Sequence, residues 1–253
     1  MNIKHMKLSD WGLLFLLSLL WGGSFFFNGV LVKHLSPLPL VAARVTLAAA
    51  VLWGVLLVCH IHVPRSAKVW GSFMIMGLLN NVLPFLLIVW GQSRIASGTA
   101  AILNATTPLF TVLLAHRFTS DERLSWRRTA GVLTGFGGVA WMLGHDNITR
   151  GQHSLPAELA VLAAALSYAI ASLWGRRFNR AGLSPLVPAA GQLTASSLLT
   201  LPAVFLTGDA RAFLLADLSS WLALAGLAVF STALAYLIFF GCCRVPAQPT
   251  SCS

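Results

Sequence analysis

Charge is what this sequence has least of. Only 9% of its 253 residues are charged, against 57% hydrophobic and a mean hydropathy of +0.79, too little polar side chain to cover a water-soluble globule. Acidic residues number seven, and Asp10, Asp121, Glu122, Asp146, Glu158, Asp209 and Asp217 all fall at or outside the ends of apolar stretches. That excludes paired carboxylates at membrane depth. A metal-ligand cluster, a phosphate-binding glycine loop and a nucleophile with its base are likewise absent, so no catalytic residue, metal or cofactor is assigned and the chain does not read as an enzyme. His60 and His62 share a joint with Arg65 and read as solvated surface rather than a metal pair. Cysteine is sparse and lopsided: Cys59 stands alone, while Cys242, Cys243 and Cys252 crowd the end, implying no disulfide framework.

What the sequence does hold is long apolar runs, which predict an all-α polytopic membrane helix bundle. A bilayer core of roughly 30 Å takes about 20 helical residues. Eight such stretches are read near 11–32, 38–59, 69–92, 96–115, 126–144, 156–175, 184–207 and 219–240. The first follows MNIKHMK without a small-residue cleavage site and reads as a retained span rather than a signal peptide. The net charge of +10 is carried by basic residues scattered singly or in pairs, which suits membrane orientation and not nucleic acid. With a cytoplasmic N-terminus, twelve basic residues fall in inner joints and four (Lys33, Arg94, Arg150 and Arg211) in outer ones, with Arg44 inside a span. Trp11, Trp70, Trp90, Trp126, Trp141 and Trp221 lie near span ends as interfacial anchors.

The chain is doubled. LSPLPLVAAR at 35–44 returns as LSPLVPAAGQ at 183–192, 148 residues later, pairing Arg44 with Gln192; weaker matches pair Trp21 with Tyr168 and Arg94-Ile95 with Arg244-Val245. A unit of five spans begins its second copy from the opposite side of the membrane, so two inverted five-helix repeats are expected. Residues 1–148 form the first repeat and 149–241 the first three helices of the second, leaving it incomplete, with 242–253 an aberrant or disordered tail. After Phe240 the sequence reads GCCRVPAQPTSCS, without an apolar period, where two more spans are expected. A truncated or frameshifted end is the leading reading, against a genuine short cytoplasmic tail or palmitoylation of Cys242 and Cys243.

Polar residues within the spans concentrate in the first four helices. Trp21, Ser24 and Asn28 share one face of the first; Arg44 and Thr46 lie in the second; Asn80 and Asn81 precede a kink at Pro84; Asn104, Thr107 and Thr111 surround a kink at Pro108. Taken singly, each reads as glue between helices. As a set beside two kinks, joined by Tyr168 and Gln192, they read as the border of a substrate pocket. Arg44 has two readings, snorkelling to a headgroup or facing the pocket to attract an anionic group. Gly135, Gly137 and Gly138 are expected to permit close packing of the fifth helix.

LLWGGSFFF at 19–27, PLVAARVTLAAAVL at 39–52, NATTPLFTVLLA at 104–115 and DERLSWRRTAGVLTGFGGVAWML at 121–143 resemble the EamA-type exporters of the drug/metabolite transporter superfamily. The resemblance implies a ten-helix inverted-repeat carrier of the bacterial inner membrane that exports small metabolites or drugs, often coupled to protons. By position it maps the family's first-helix Trp-Gly onto Trp21 and Gly22, its second-helix Arg onto Arg44, and its helix-closing acidic residue onto Glu122. No Asp, Glu or His at membrane depth offers to hold the proton, and the first helix lacks the Glu that related exporters use for cationic drugs. The leading expectation is an inner-membrane exporter working by alternating access on a small-molecule substrate, with the lipid bilayer around it and partner helices or a dimer completing the second repeat. The alternative is an inactive or regulatory membrane fragment that transports nothing by itself.

Overall fold

The structure is a computed structural model that describes residues 8–118, 125–150, 154–215 and 217–242. Asp121, Glu122 and residues 243–253 lie outside that set, so the readings of the acidic cap and of the tail are not addressed by it. The architecture is all-helical, as lipid requires of a chain that must satisfy its own backbone hydrogen bonds. In chain order the long helices are α1 (Leu8–Leu31), α2 (Pro37–Val58), α3 (Ala67–Gln92), α4 (Ser97–Phe118), α5 (Trp126–Arg150), α6 (Leu155–Arg180), α7 (Leu186–Thr207) and α8 (Leu218–Ile238). Local signals set their ends. Ser36 then Pro37 start α2, the left-handed Gly208 (φ 76°) closes α7, and the Asp217 carboxylate accepts from the Ser220 N–H to cap α8.

Every predicted span forms a helix, and among the described residues seven are long and apolar enough to cross a membrane. The one that falls short is α5, whose apolar character is diluted by Arg127, Arg128 and its glycines. The expectation that Gly135, Gly137 and Gly138 bring α5 close to its neighbours holds only for Gly135, which lies against Leu109. Nothing stands within 4 Å of where a Cβ would lie on Gly137 or Gly138. Trp141 is 80% exposed on the same helix.

The core sits where α2 and α7 cross. Leu40, Val41, Val45, Leu52 and Leu56 of α2 pack with Val187, Ala189, Ala190 and Leu193 of α7. Small residues let the backbones close up: a Cβ on Gly77 would lie 2.6 Å from the Gln192 carbonyl oxygen, and one on Gly191 would overlap the Phe73 ring. The remaining contacts follow a twofold pattern about this crossing. Helix α3 packs on α6 as α1 packs on α8, and α3 meets α7 as α8 meets α2.

Two spans depart from regular helix at matching places. The π-helical turn Leu78–Val82 interrupts α3 immediately before Pro84, whose missing N–H cannot continue the ladder. A second, Val229–Leu234, interrupts α8 with no proline beside it. There Thr232 Oγ1 donates to the Leu227 carbonyl at 3.1 Å. Helix α4 breaks at Ala105–Thr106, where the Thr106 and Thr107 hydroxyls donate to the carbonyls of Leu103 and Asn104 at 2.6 and 2.7 Å.

Candidate functional site

The second helix of each half reaches into the π turn of the other half. Arg44 of α2 donates from Nε to Thr232 Oγ1 of α8 at 2.9 Å, while Gln192 of α7 accepts at Oε1 from Asn80 Nδ2 of α3 at 3.1 Å. Arg44 and Gln192 are the residues paired by the sequence echo, and both are buried, at 5% and 2% exposure. Around Gln192 a hydrogen-bonded polar chain forms. Asn80 Nδ2 also donates to Tyr236 Oη at 2.9 Å, Tyr236 donates to Asn81 Oδ1 at 3.0 Å, and Asn81 Nδ2 donates to Ser196 Oγ at 3.1 Å. The Ser167 hydroxyl of α6 donates to the Leu79 carbonyl at 2.6 Å inside the π turn of α3. The π turn of α3 thus supplies a backbone acceptor to a side chain of the opposite half, which an unbroken helix would withhold.

Arg44 does not snorkel. Its guanidinium lies 3.8 Å from the centre of the Phe85 ring, and its electrostatic neighbours are Tyr168 and Tyr236 rather than a carboxylate. The described residues hold no group of His, Cys, Asp or Glu able to ligate a metal.

The structure gathers five of the predicted site residues at this centre: Arg44, Asn80, Asn81, Tyr168 and Gln192. Ser24, Asn28, Asn104 and Thr107 make no hydrogen bond into this network. Ser24 and Asn28 are buried on α1, the Ser24 hydroxyl donating back to the Trp21 carbonyl at 2.6 Å, and Trp21 is 44% exposed. Asn104 and Thr107 sit at the α4 break and are half-buried. Sequence reasoning did not single out Thr232, Tyr236, Ser196, Phe85 or Ser167. The echo offers the signal for Thr232, because residues 80 and 81 fall opposite 231 and 232 once the two π turns are aligned. Glu158, read as a span-end residue, is buried at 1% exposure in the first turn of α6, where an acidic side chain complements the helix dipole.

A bundle of apolar helices in two halves, with its polar groups collected where the halves interlock, defines a multi-pass membrane protein. More narrowly, the chain belongs to the EamA-like transporter family, which matches residues 11–144 and 155–248. It is 26% identical to the uncharacterized transporter YoaV of Bacillus subtilis (strain 168) over 159 residues, 63% of this chain and 54% of that protein, so the match spans little more than half of YoaV. It is also 26% identical to the uncharacterized inner membrane transporter YedA of Escherichia coli (strain K12) over 227 residues, 88% of this chain and 71% of that one. One solved crystal structure superposes on 94% of this chain and 80% of its own with a TM-score of 0.64 at 23% identity, a likeness of fold.

Proposed function

We propose that this chain is a bacterial inner-membrane carrier that exports small metabolites or drugs by alternating access, with a cytoplasmic N-terminus, and that Arg44 receives the anionic end of its substrate. The observation carrying the reading is the reciprocal pair Arg44–Thr232 and Asn80–Gln192. Rocking one half against the other about a central site must remake those cross-half bonds. One partner of each bond, the acceptor Thr232 and the donor Asn80, sits on a π turn, the segment of its span least committed to a fixed ladder. The buried guanidinium, with no carboxylate partner among the described residues, gives the site its charge preference. The excess of basic residues in the inner joints supports the orientation.

The test uses an efflux-deficient bacterial host expressing the chain and challenged with a panel of toxic amino-acid analogues and organic acids. Resistance above a vector control supports export and removes the alternative that the chain moves nothing. Arg44→Gln, inserted in the membrane at wild-type level, is expected to lose resistance to anionic members of the panel. Unchanged resistance in that variant would defeat the assignment of Arg44.

A further inference from the structure

Resting on the reading of Arg44 as the anchor of the substrate, we infer that the substrate class is monocarboxylates without an ammonium group. These are 2-hydroxy or 2-oxo acids rather than amino acids, dicarboxylates or phosphates. The charge at the centre and the state of its hydrogen-bonding groups both point there.

Arg44 is the only formal charge at the centre among the described residues. The acidic residues lie at or outside span ends, and the buried Glu158 stands ten residues from Tyr168, about 15 Å along α6. A net monoanion therefore leaves the occupied site neutral. A zwitterion leaves it with one positive charge and a dianion with one negative, and an unpaired charge in an interior is costly.

The hydrogen-bonding groups agree with the charge. Arg44 Nε is committed to Thr232 Oγ1 at 2.9 Å, and the Phe85 ring covers one face of the guanidinium. Nη1 and Nη2 make no hydrogen bond to the described residues. They keep some accessible surface, unlike Asn28 Oδ1 and Thr46 Oγ1, which are sealed. Parallel N–H donors on one planar group match the two oxygens of a carboxylate. An ammonium meets acceptors already in use. The Leu79 carbonyl takes the Ser167 hydroxyl at 2.6 Å, and the Leu227 carbonyl takes that of Thr232 at 3.1 Å. Gln192 Oε1 and Asn81 Oδ1 accept from Asn80 and Tyr236. Asn80 Oδ1 and the Tyr168 hydroxyl remain, two neutral oxygens against the three N–H donors of an ammonium. The Tyr168 hydroxyl can donate to a 2-oxo or 2-hydroxy oxygen, whereas an ammonium accepts nothing.

Isothermal titration calorimetry of the purified full chain tests the class with acids paired to differ only at the 2-position. The pairs are lactate with alanine, 2-hydroxyisocaproate with leucine and 3-phenyllactate with phenylalanine; malonate serves as the dianion. In every pair that binds, the hydroxy acid should bind at least about tenfold tighter than the amino acid, and malonate no tighter than lactate. Thr232→Val, which takes the acceptor from Nε, should weaken the hydroxy acids about tenfold, and Thr232→Ser should restore them. An amino acid that binds as tightly as its partner, malonate binding above lactate, or no binding by any acid would overturn the class. Unchanged affinity in Thr232→Val would overturn the held fork. The wild-type series needs no variant to fold. A hydroxy-acid preference without resistance in the efflux-deficient host supports this class and fails the carrier reading. Resistance confined to amino-acid analogues supports the carrier and overturns the class.

Discussion

Gly77 offers the sharpest test of how the fold builds the site. It sits one residue before the π turn of α3, against α7. A methyl group added there would lie 2.6 Å from the Gln192 carbonyl oxygen, 3.0 Å from Ser196 Oγ and 3.1 Å from the Ala195 Cβ. The nearest of these is backbone and cannot rotate away, so α3 and α7 must separate by several tenths of an ångström. Overpacking of this kind costs about 1–3 kcal/mol. The same displacement stretches Asn80 Nδ2 to Gln192 Oε1, now 3.1 Å, toward the 3.5 Å limit of a hydrogen bond. Gly77→Ala should therefore lower the melting temperature of the purified protein by several degrees and reduce transport together. Gly22→Ala, with nothing within 4 Å of its Cβ, is the control and should gain up to about 1 kcal/mol of helix propensity. If Gly77→Ala melts with the control, the close α3–α7 approach does not support the site as argued.

Other outcomes follow from single contacts. Tyr236→Phe removes a hydroxyl that accepts from Asn80 and donates to Asn81, leaving Asn81 Oδ1 without its donor; thermal unfolding should show a loss of about 1–3 kcal/mol. Trp53→Phe deletes the 2.8 Å bond from Nε1 to Thr194 Oγ1 between α2 and α7 and should cost about 0.6 kcal/mol, the mean for such bonds in membranes. Asp217, held down to about 2 by the Ser219 hydroxyl and then by Ser220, is lowered on folding, so its contribution is present above the ordinary carboxylate range and is lost as pH falls from about 4 to about 2. Asp217→Asn should flatten the acid limb of a melting-temperature profile over that window. Cys59, exposed in the α2–α3 joint, should be labelled by an impermeant thiol reagent only from the cytoplasmic face once Cys242, Cys243 and Cys252 are replaced by Ser; labelling in intact cells would reverse the proposed topology.

The number and placement of the helices were legible in the sequence because bilayer thickness and backbone hydrogen bonding leave an apolar run of about 20 residues few alternatives. The echo between 35–44 and 183–192 was legible for the same reason any repeat is, and it named Arg44 and Gln192 as counterparts before either had a partner. Pro84 marked the irregular turn in α3. The matching turn in α8 has no proline, only the Thr232 hydroxyl bridging to Leu227, and such a hydroxyl is indistinguishable in sequence from ordinary interhelical glue. Helical periodicity put Trp21, Ser24 and Asn28 on one face of α1 but could not say which neighbour that face meets. The choice for Arg44 between headgroup and interior was equally beyond the sequence. It depends on α8 and the Phe85 ring arriving beside it, 188 and 41 residues away along the chain, and only tertiary packing brings them there.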